Sequence, residues 1–433
     1  MTLKKTRFTN YRSFEQYEIE FGEKTTLLIG RNGMGKTNLL SGIVQSLSFI
    51  FSKQRNQPQY EFIASSDQGV KPFSINDVRY HIDDYKYPVE IACSALIGDP
   101  STYQEVLKWS LRQEGPKSGL RDSLFRVPYH TFWEYYMTRN EKPVLAFFSD
   151  GFPHKNTRIS KSMKDRLESG NPLPSNTGYY QWDEEQSCVE IWKTYYKMQW
   201  MNNNSAPNQE RSHYIEAVNQ ALVEFSMPLN GGNEEIEVSR LFVETRGEKN
   251  VLMIEMSNGE RKPYDSLPQG YNRLFSMVFD LANRSYLLNR HCNPEGIAII
   301  DEIELHLHPS LAAEVLQRLR RSFPRMQFIA STHSPLVIAN FNQSEGNSDD
   351  NRLYSLYKTS QGYDRKRILD LYGMDYATSL SEVMGTPSSL PQMDKWKRAY
   401  LYWQGQDEIK AARIAEEIKR EFPNSRIIQK LNL

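Results

Sequence analysis

The segment Leu28-Ile29-Gly30-Arg31-Asn32-Gly33-Met34-Gly35-Lys36-Thr37 has the spacing G-x-x-x-x-G-K-T. Glycines so placed let successive backbone N–H groups point inward around phosphate oxygens. The lysine supplies a point charge that can reach the β- and γ-phosphates of ATP, and the threonine hydroxyl can ligate Mg²⁺. Gly30, Asn32, Gly33, Gly35, Lys36 and Thr37 are therefore candidate ATP-binding residues, with Thr37 also a candidate Mg²⁺ ligand. A second set of chemical groups lies far downstream. Gly296–Ile300 is an apolar run that ends in the carboxylates of Asp301 and Glu302. At the end of a buried strand beside the P-loop, Asp301 would hold Mg²⁺ through water or directly. Glu302 would orient or deprotonate an attacking water. A strand ending in two solvated acids is common by itself; together with a P-loop it points to one site. Gln327–Ser331 is another apolar run, and it delivers Thr332-His333-Ser334-Pro335. His333 is placed to touch a γ-phosphate or the attacking water.

These groups need elements that position them. Thr25–Ile29 reads as a buried strand entering the P-loop, and the apolar spacing after Lys36 reads as a helix to about Phe51. A helix N-terminus there adds a favourable dipole for phosphate. Leu3–Phe8, Tyr17–Phe21 and Val89–Ala95 read as further strands. From 100 to 230 the character changes to a largely helical insertion, with helices at Tyr103–Arg112 and His213–Phe225 and a polar loop at Ser160–Asn176. Many aromatic residues fall between Tyr129 and Trp200, which points to a packed insert rather than disorder. Glu235–Glu244 and Val251–Glu255 alternate like an antiparallel hairpin, and α/β character returns to about residue 345. The expected organisation is 1–99 and 231–345 as two halves of one ATPase core, 100–230 as the insertion, and 346–433 as a helical C-terminal region. That region should hold helices at Met393–Gln404 and Gln406–Phe422, with apolar stripes of Trp396, Tyr400, Leu401 and Ile409, Ile414, Ile418.

Bulk properties exclude some classes. The 433 residues carry 53 basic and 53 acidic side chains, so net charge gives no global pull toward nucleic acid or membrane. Three scattered cysteines, without CxxC spacing, argue against zinc or a disulfide framework and fit a reducing cytoplasm. No apolar run long enough to span a bilayer is present.

The P-loop, "IIDEIELHLHP" and "ASTHSP", in this order, resemble the ABC-type ATPases of the SMC, RecF and OLD class. The opening "FTNYRSFEQYEIEFGEKTTLLIGRNGMGKTNLL" is similar to that class as well. The resemblance implies an α/β fold: an ABC-type P-loop core with an antiparallel β-layer, here with a helical insertion and a C-terminal helical hairpin. It also implies that Glu302 is the catalytic glutamate, His333 the switch histidine and Arg12 an arginine near the nucleotide. His308 and Pro309 fall in the D-loop position. Ser266-Leu267-Pro268-Gln269-Gly270-Tyr271 matches the signature motif, with Pro268 where a serine is usual. Gly270 would bind the phosphate of ATP held by a second subunit, so a head-to-tail dimer is expected.

A narrower resemblance, carried by "PVLAFF" at Pro143–Phe148, "FSINDV" at Phe73–Val78 and "LYGMDYATSLSEVMG", is to small ATPases of bacterial antiphage defence, Septu-like and retron-associated. It implies a regulatory ATPase working with a separately encoded effector, a nuclease in those systems. The rival readings are a RecF/SMC-like repair or chromosome ATPase that binds DNA directly, a transporter nucleotide-binding subunit, and an OLD-like nuclease. The last lacks its D-x-D pair after His333.

Overall fold

The structure is a computed structural model. It describes residues 1–52, 69–99, 103–153, 159, 161–169, 171–183, 188–229, 237–343, 350–360, 362–368, 371–373, 391–422, 428 and 431. Most of the "LYGMDYATSLSEVMG" stretch lies outside the described residues.

In chain order, β1 is Thr2–Tyr11, β2 is Phe14–Glu20 and β3 is Thr25–Ile29, followed by helix α1, Lys36–Leu47. A short 3-10 turn, Ile75–Asp77, leads into the small hairpin β4 (Tyr80–His81) and β5 (Asp84–Tyr85). Strands β6 (Val89–Asp99) and β7 (Tyr103–Gln113) come next. Helix α2 (Arg126–Thr138), strand β8 (Val144–Phe148) and helices α3 (Lys161–Glu168), α4 (Val189–Ser205) and α5 (Gln209–Ser226) follow. Then come β9 (Val238–Arg246), β10 (Lys249–Met256), β11 (Arg261–Pro263) and the long helix α6 (Gln269–Asn289). Strand β12 (Gly296–Ile300), helix α7 (Pro309–Ser322), strand β13 (Met326–Ser331) and the short helix α8 (Pro335–Ala339) complete the second set of motifs. Strands β14 (Asn351–Thr359) and β15 (Gly362–Ile368) and helices α9 (Pro391–Trp403) and α10 (Glu408–Glu421) close the chain.

The central layer is a six-stranded sheet in the order β15-β14-β3-β13-β12-β8. Five of its strands are parallel, and β15 returns antiparallel to β14. Strands β3, β12 and β13 are buried along their full length. Such runs show no polar alternation because both faces are covered. The parallel order sets the C-terminal ends of β3, β13 and β12 side by side, where ligands bind in open α/β sheets. A four-stranded antiparallel layer, β2-β1-β6-β7, packs on α1 and the turn that follows it: Cys93 of β6 donates to Ser46 Oγ at 3.2 Å, Trp109 Nε1 of β7 donates to the Ser46 carbonyl at 2.9 Å, and the Trp109 ring stacks on Phe49 at 4.4 Å. The expected hairpin is β9–β10, with β11 added.

The α/β class is as the sequence implies, and two local readings are corrected. Tyr103–Gln113 is a strand, not a helix, and it pairs with β6 along its whole length. Its Leu107, Trp109 and Leu111 alternate into the core, and pairing with β6 overrides local helix preference. Within the polar stretch at Ser160–Asn176, Lys161–Glu168 is helical. The aromatic insert is packed as expected: Phe132, Trp133, Tyr136, Tyr179, Trp182, Trp192 and Tyr196 are all buried. Among the described residues, no helix is long and apolar enough to cross a membrane.

The chain divides into two compact units, Met1–Tyr372 and Gly373–Leu433. The strands β14 and β15 thus belong to the first unit, and the helical region begins later than residue 346. In the second unit, α9 and α10 enclose Tyr400, Ala411 and Ile418, packed with Trp396, Trp403, Ile414 and Leu431. Leu401 and Ile409, expected on the same stripes, face outward with Tyr402. Since the first unit contains the whole central sheet, a chain ending at Tyr372 should still fold cooperatively. Its thermal midpoint should stay within about 5 °C of the full-length protein, the shift that one or two kcal/mol produces at this size. A collapse of near-UV circular dichroism on truncation would show that the sheet needs the second unit.

Candidate functional site

Gly30, Gly33 and Gly35 have φ of 147°, 78° and 88°, the left-handed backbone that a phosphate-cradling turn requires. At Gly30 the need is also spatial: a Cβ there would lie 2.5 Å from the Leu356 carbonyl oxygen of β14. The crown of the loop, Arg31–Gly33 with Asn32, is exposed. Lys36 is buried at the start of α1, where its Nζ donates to the carbonyls of Gly30 at 2.8 Å and Arg31 at 3.3 Å. Burial lowers its pKa, opposed by the carboxylates of Asp301, Glu302 and Glu304.

The two halves of the site meet at Asp301. Thr37 Oγ1 donates to Asp301 Oδ2 at 2.7 Å across 264 residues of sequence. The other oxygen, Oδ1, accepts from Ser331 Oγ at the end of β13. Thr37 and Asp301 therefore present adjacent hard oxygen donors. That donor set fits Mg²⁺, which takes one or two protein oxygens and completes its shell with phosphate and water. Among the described residues no group of three or more His, Cys, Asp or Glu could hold a metal unaided.

Glu302 follows with φ 48°, a conformation costing a non-glycine residue about 1–3 kcal/mol. Its backbone is held from three sides. The amide donates to Ser331 Oγ at 2.8 Å, and the carbonyl accepts from Leu305 N at 3.0 Å and from Arg273 Nη2 at 3.4 Å. Burial raises the carboxyl pKa, and the nearby Asp301, Glu304 and Asp150 carboxylates raise it further, against Lys36. A carboxylate so tuned is a better proton acceptor than a free one. His333 lies just beyond β13, half-buried, with its pKa lowered by burial and by Lys36. Neutral imidazole is thus favoured near neutral pH.

Arg12 lies in the tight turn between β1 and β2, with φ 46°. Its Nε and Nη2 both donate to Asp77 Oδ1, at 3.1 and 3.0 Å, and Nη1 reaches Asn38 Oδ1, one residue after Thr37, at 3.5 Å. Asp77 is pre-set by a capping box with Ser74, whose amide and hydroxyl both donate to Asp77 Oδ2. The "FSINDV" segment thus delivers the carboxylate that aims Arg12 at the P-loop helix.

Gly270, in the first turn of α6, is set against the loop after β12. A Cβ there would lie 2.4 Å from the His306 carbonyl oxygen, so close approach alone requires glycine. His308 and Pro309 open α7: His308 Nδ1 pairs with Ser310 Oγ at 2.8 Å, and Pro309 occupies the first helical turn.

One residue that sequence reasoning missed is Arg273, also on α6. It is only 1% exposed. Its guanidinium donates to the carbonyls of Ser149, Asp150, Phe152, Asp301 and Glu302. Burial lowers its pKa to about 10, while Asp150, Glu302, Glu304 and Asp301 favour its charge. A cation among a mostly apolar helix sequence gives no pairing signal; only the fold shows that it faces the ends of β8 and β12.

Comparison with known proteins places this geometry in context. The profile of the RecF/RecN/SMC N terminal domain matches residues 2–352. The Retron Vc95 probable ATPase of Vibrio cholerae serotype O1 biovar El Tor is 24% identical over 454 aligned residues, covering 95% of this chain and 85% of that protein. The Retron Ec83 probable ATPase of Escherichia coli is 24% identical over 387 residues, 76% of this chain and 68% of that protein. The Septu protein PtuA of Bacillus mycoides (strain KBAB4) is 39% identical over 74 residues, 17% of this chain and 10% of that protein.

The Arg12–Asp77 pair should act as one unit. Arg12→Ala and Asp77→Ala should weaken ATP binding to a similar degree, and the double variant should be no worse than either alone. That corresponds to a coupling of about 0.5–3 kcal/mol, readable by titration with a fluorescent ATP analogue. Strictly additive losses would show that Arg12 works without Asp77.

Proposed function

We propose that this chain, which belongs to the RecF/RecN/SMC N-terminal domain family, binds Mg²⁺·ATP and hydrolyses it in the cytoplasm as the regulatory ATPase of a prokaryotic antiphage defence system. It restrains or activates a separately encoded effector, a nuclease, through ATP-dependent head-to-tail dimerisation. The observation that carries the ATPase reading is the Thr37–Asp301 hydrogen bond, which joins the P-loop to the strand bearing Glu302. The retron ATPases matched over most of the chain support the defence setting.

Each residue has a defined role in this reading. Gly30, Asn32, Gly33 and Gly35 shape the phosphate cradle, and Lys36 pairs with the β- and γ-phosphate oxygens. Thr37 and Asp301 would hold Mg²⁺, which when bound neutralises charge that develops on phosphoryl oxygens. Glu302 orients the water and accepts its proton. Neutral His333 contacts the γ-phosphate or that water. Gly270, at the N-terminus of α6, meets the nucleotide of the second copy. The backbone N–H groups there serve in place of a serine hydroxyl that Pro268 cannot offer. The outward side chains Leu401, Tyr402 and Ile409 on α9 and α10 form the contact surface for the effector.

Lys36→Ala should abolish ATP binding, and Glu302→Gln should retain it while lowering turnover by about 10²–10⁴-fold. The Glu302→Gln protein should accumulate as an ATP-dependent dimer in size-exclusion chromatography with light scattering. Undiminished phosphate release by Lys36→Ala would remove the nucleotide-site assignment. Normal turnover by Glu302→Gln would mean that another group activates the water.

The effector surface is tested separately. Leu401→Asp combined with Ile409→Asp should leave ATP turnover within about twofold, the behaviour of exposed substitutions. It should abolish co-purification with the co-expressed nuclease of the neighbouring gene.

A further inference from the structure

We propose that Glu304 is a positioning residue that fixes the Thr332–His333 turn against the end of β12, and so sets where His333 stands relative to Glu302. The inference rests on the reading of this site as an ATPase.

The ladder that holds β13 gives out just where His333 must be placed. Strand β13 ends at Ser331, and the next amide, Thr332 N, still donates to the Leu28 carbonyl of β3 at 3.0 Å. The following amide has turned away from the sheet. His333 N donates to Glu304 Oε1 at 2.6 Å, and Thr332 Oγ1 donates to Glu304 Oε2 at 2.7 Å. One carboxylate therefore accepts from two consecutive residues, one oxygen each. Such charge-assisted bonds are the shorter and stronger kind. The tie continues outward: Thr332 Oγ1 accepts from Ser334 N at 3.0 Å, and the Ser334 side chain caps α8.

Glu304 is equally fixed at its own end. It lies in the turn that follows Glu302. There Ile303 N donates to the Ser331 carbonyl at 3.0 Å, Leu305 N to the Glu302 carbonyl at 3.0 Å and Leu307 N to the Glu304 carbonyl at 2.9 Å. The loop bearing Glu302 and the loop bearing His333 are thus cross-braced at two points. Ser331 bridges Asp301 Oδ1 and the Glu302 amide at the base. Glu304 makes the second brace two residues further out. Without it, the His333 backbone would be anchored, among the described residues, only through its chain neighbours. A displacement of about 1 Å in a group that acts on the reacting atoms can cost about 10²-fold in rate.

A carboxylate is required by the donor count. Both partners are donors, a backbone N–H and a hydroxyl, and a carboxylate has two acceptor oxygens to offer. Glutamine keeps the size but sets an NH₂ against one of the two donors. Aspartate keeps the charge but is one methylene too short to meet both.

The test compares Glu304→Gln, Glu304→Asp and Thr332→Val with the unaltered full-length protein in steady-state ATP turnover. Each is made alone and combined with His333→Ala. In the otherwise native background, Gln and Asp should lower kcat by about 10–100-fold with KM for ATP within about threefold. That is the pattern of a contact felt mainly in the transition state. Thr332→Val, which removes one of the two donors, should lower kcat less. In the His333→Ala background the same changes should have no further effect, because the group they position is gone. Thermal melts and titration with a fluorescent ATP analogue establish that each variant is folded and binds nucleotide. Should Glu304→Gln fail to fold, the Thr332→Val comparison in the two backgrounds decides the question by itself. Unchanged kcat in the native background, or an equal loss with and without His333, overturns the inference. If Lys36→Ala also turned over ATP normally, the fault would lie with the ATPase reading itself; Lys36→Ala inactive beside a fully active Glu304→Gln removes the positioning role alone.

Discussion

The site depends on how one carboxylate divides its two oxygens. Asp301 Oδ2 takes the Thr37 hydroxyl of α1 and Oδ1 takes the Ser331 hydroxyl of β13. Three segments distant in sequence thereby end at one point. An ionised carboxylate has only acceptors, so it can join two hydroxyls without needing a donor of its own. The six-stranded sheet exists, for functional purposes, to make this meeting possible. Parallel pairing of β3 with β13 and of β13 with β12 brings all three C-terminal ends to one edge. An antiparallel neighbour would have sent one of these loops to the opposite edge.

Charge then has to be balanced around that point. Asp301, Glu302, Glu304 and Asp150 are all felt by Arg273, and three of them by Lys36. Two buried cations oppose four carboxylates; burial raises the Glu302 carboxyl, and the neighbouring carboxylates raise it further. Arg273 does its part through carbonyl oxygens rather than by direct ion pairing, so it occupies none of the four carboxylates. Burying a guanidinium is costly unless its donors are met; here five carbonyls meet Nη1 and Nη2, while Nε finds no partner among the described residues. The same contacts tie α6, which carries Gly270, to the backbone of Asp301 and Glu302.

Some of this was legible in the sequence. Glycine spacing, Lys36 and Thr37 are local, and so are the apolar runs before Asp301 and His333. For a buried parallel strand an uninterrupted apolar run is the signal, and it named β3, β12 and β13 correctly. Strand β7 was misread because Tyr103–Gln113 is rich in long polar side chains that suit a helix. Its membership of the sheet is decided by β6, which the segment itself does not encode. Asp77, Arg273 and Glu304 escaped for a related reason. Each is an ordinary charged residue in its own neighbourhood, and each acts on a partner placed by topology. Glu304 was in plain view inside "IIDEIELHLHP", yet its two partners lie in the turn that follows another strand.

The placement of Gly270 extends the same logic from one chain to two. Its missing Cβ lets the first turn of α6 press on the His306 carbonyl, in the loop that begins with Glu302 and ends at the cap of α7. That loop is therefore contacted from both sides: by α6 through Gly270 and Arg273, and by β13 and the turn after it through Ser331 and through Thr332 and His333, which donate to Glu304. A push on the start of α6 has no soft element to spend itself in before it reaches Glu302, because close-packed backbone and buried hydrogen bonds transmit displacement rather than absorb it. Whatever meets the N-terminus of α6 is thus mechanically near the residue that would activate water, although it need not touch the P-loop at all. In the head-to-tail pair proposed above, that is the arrangement by which one copy's nucleotide would govern the other's hydrolysis.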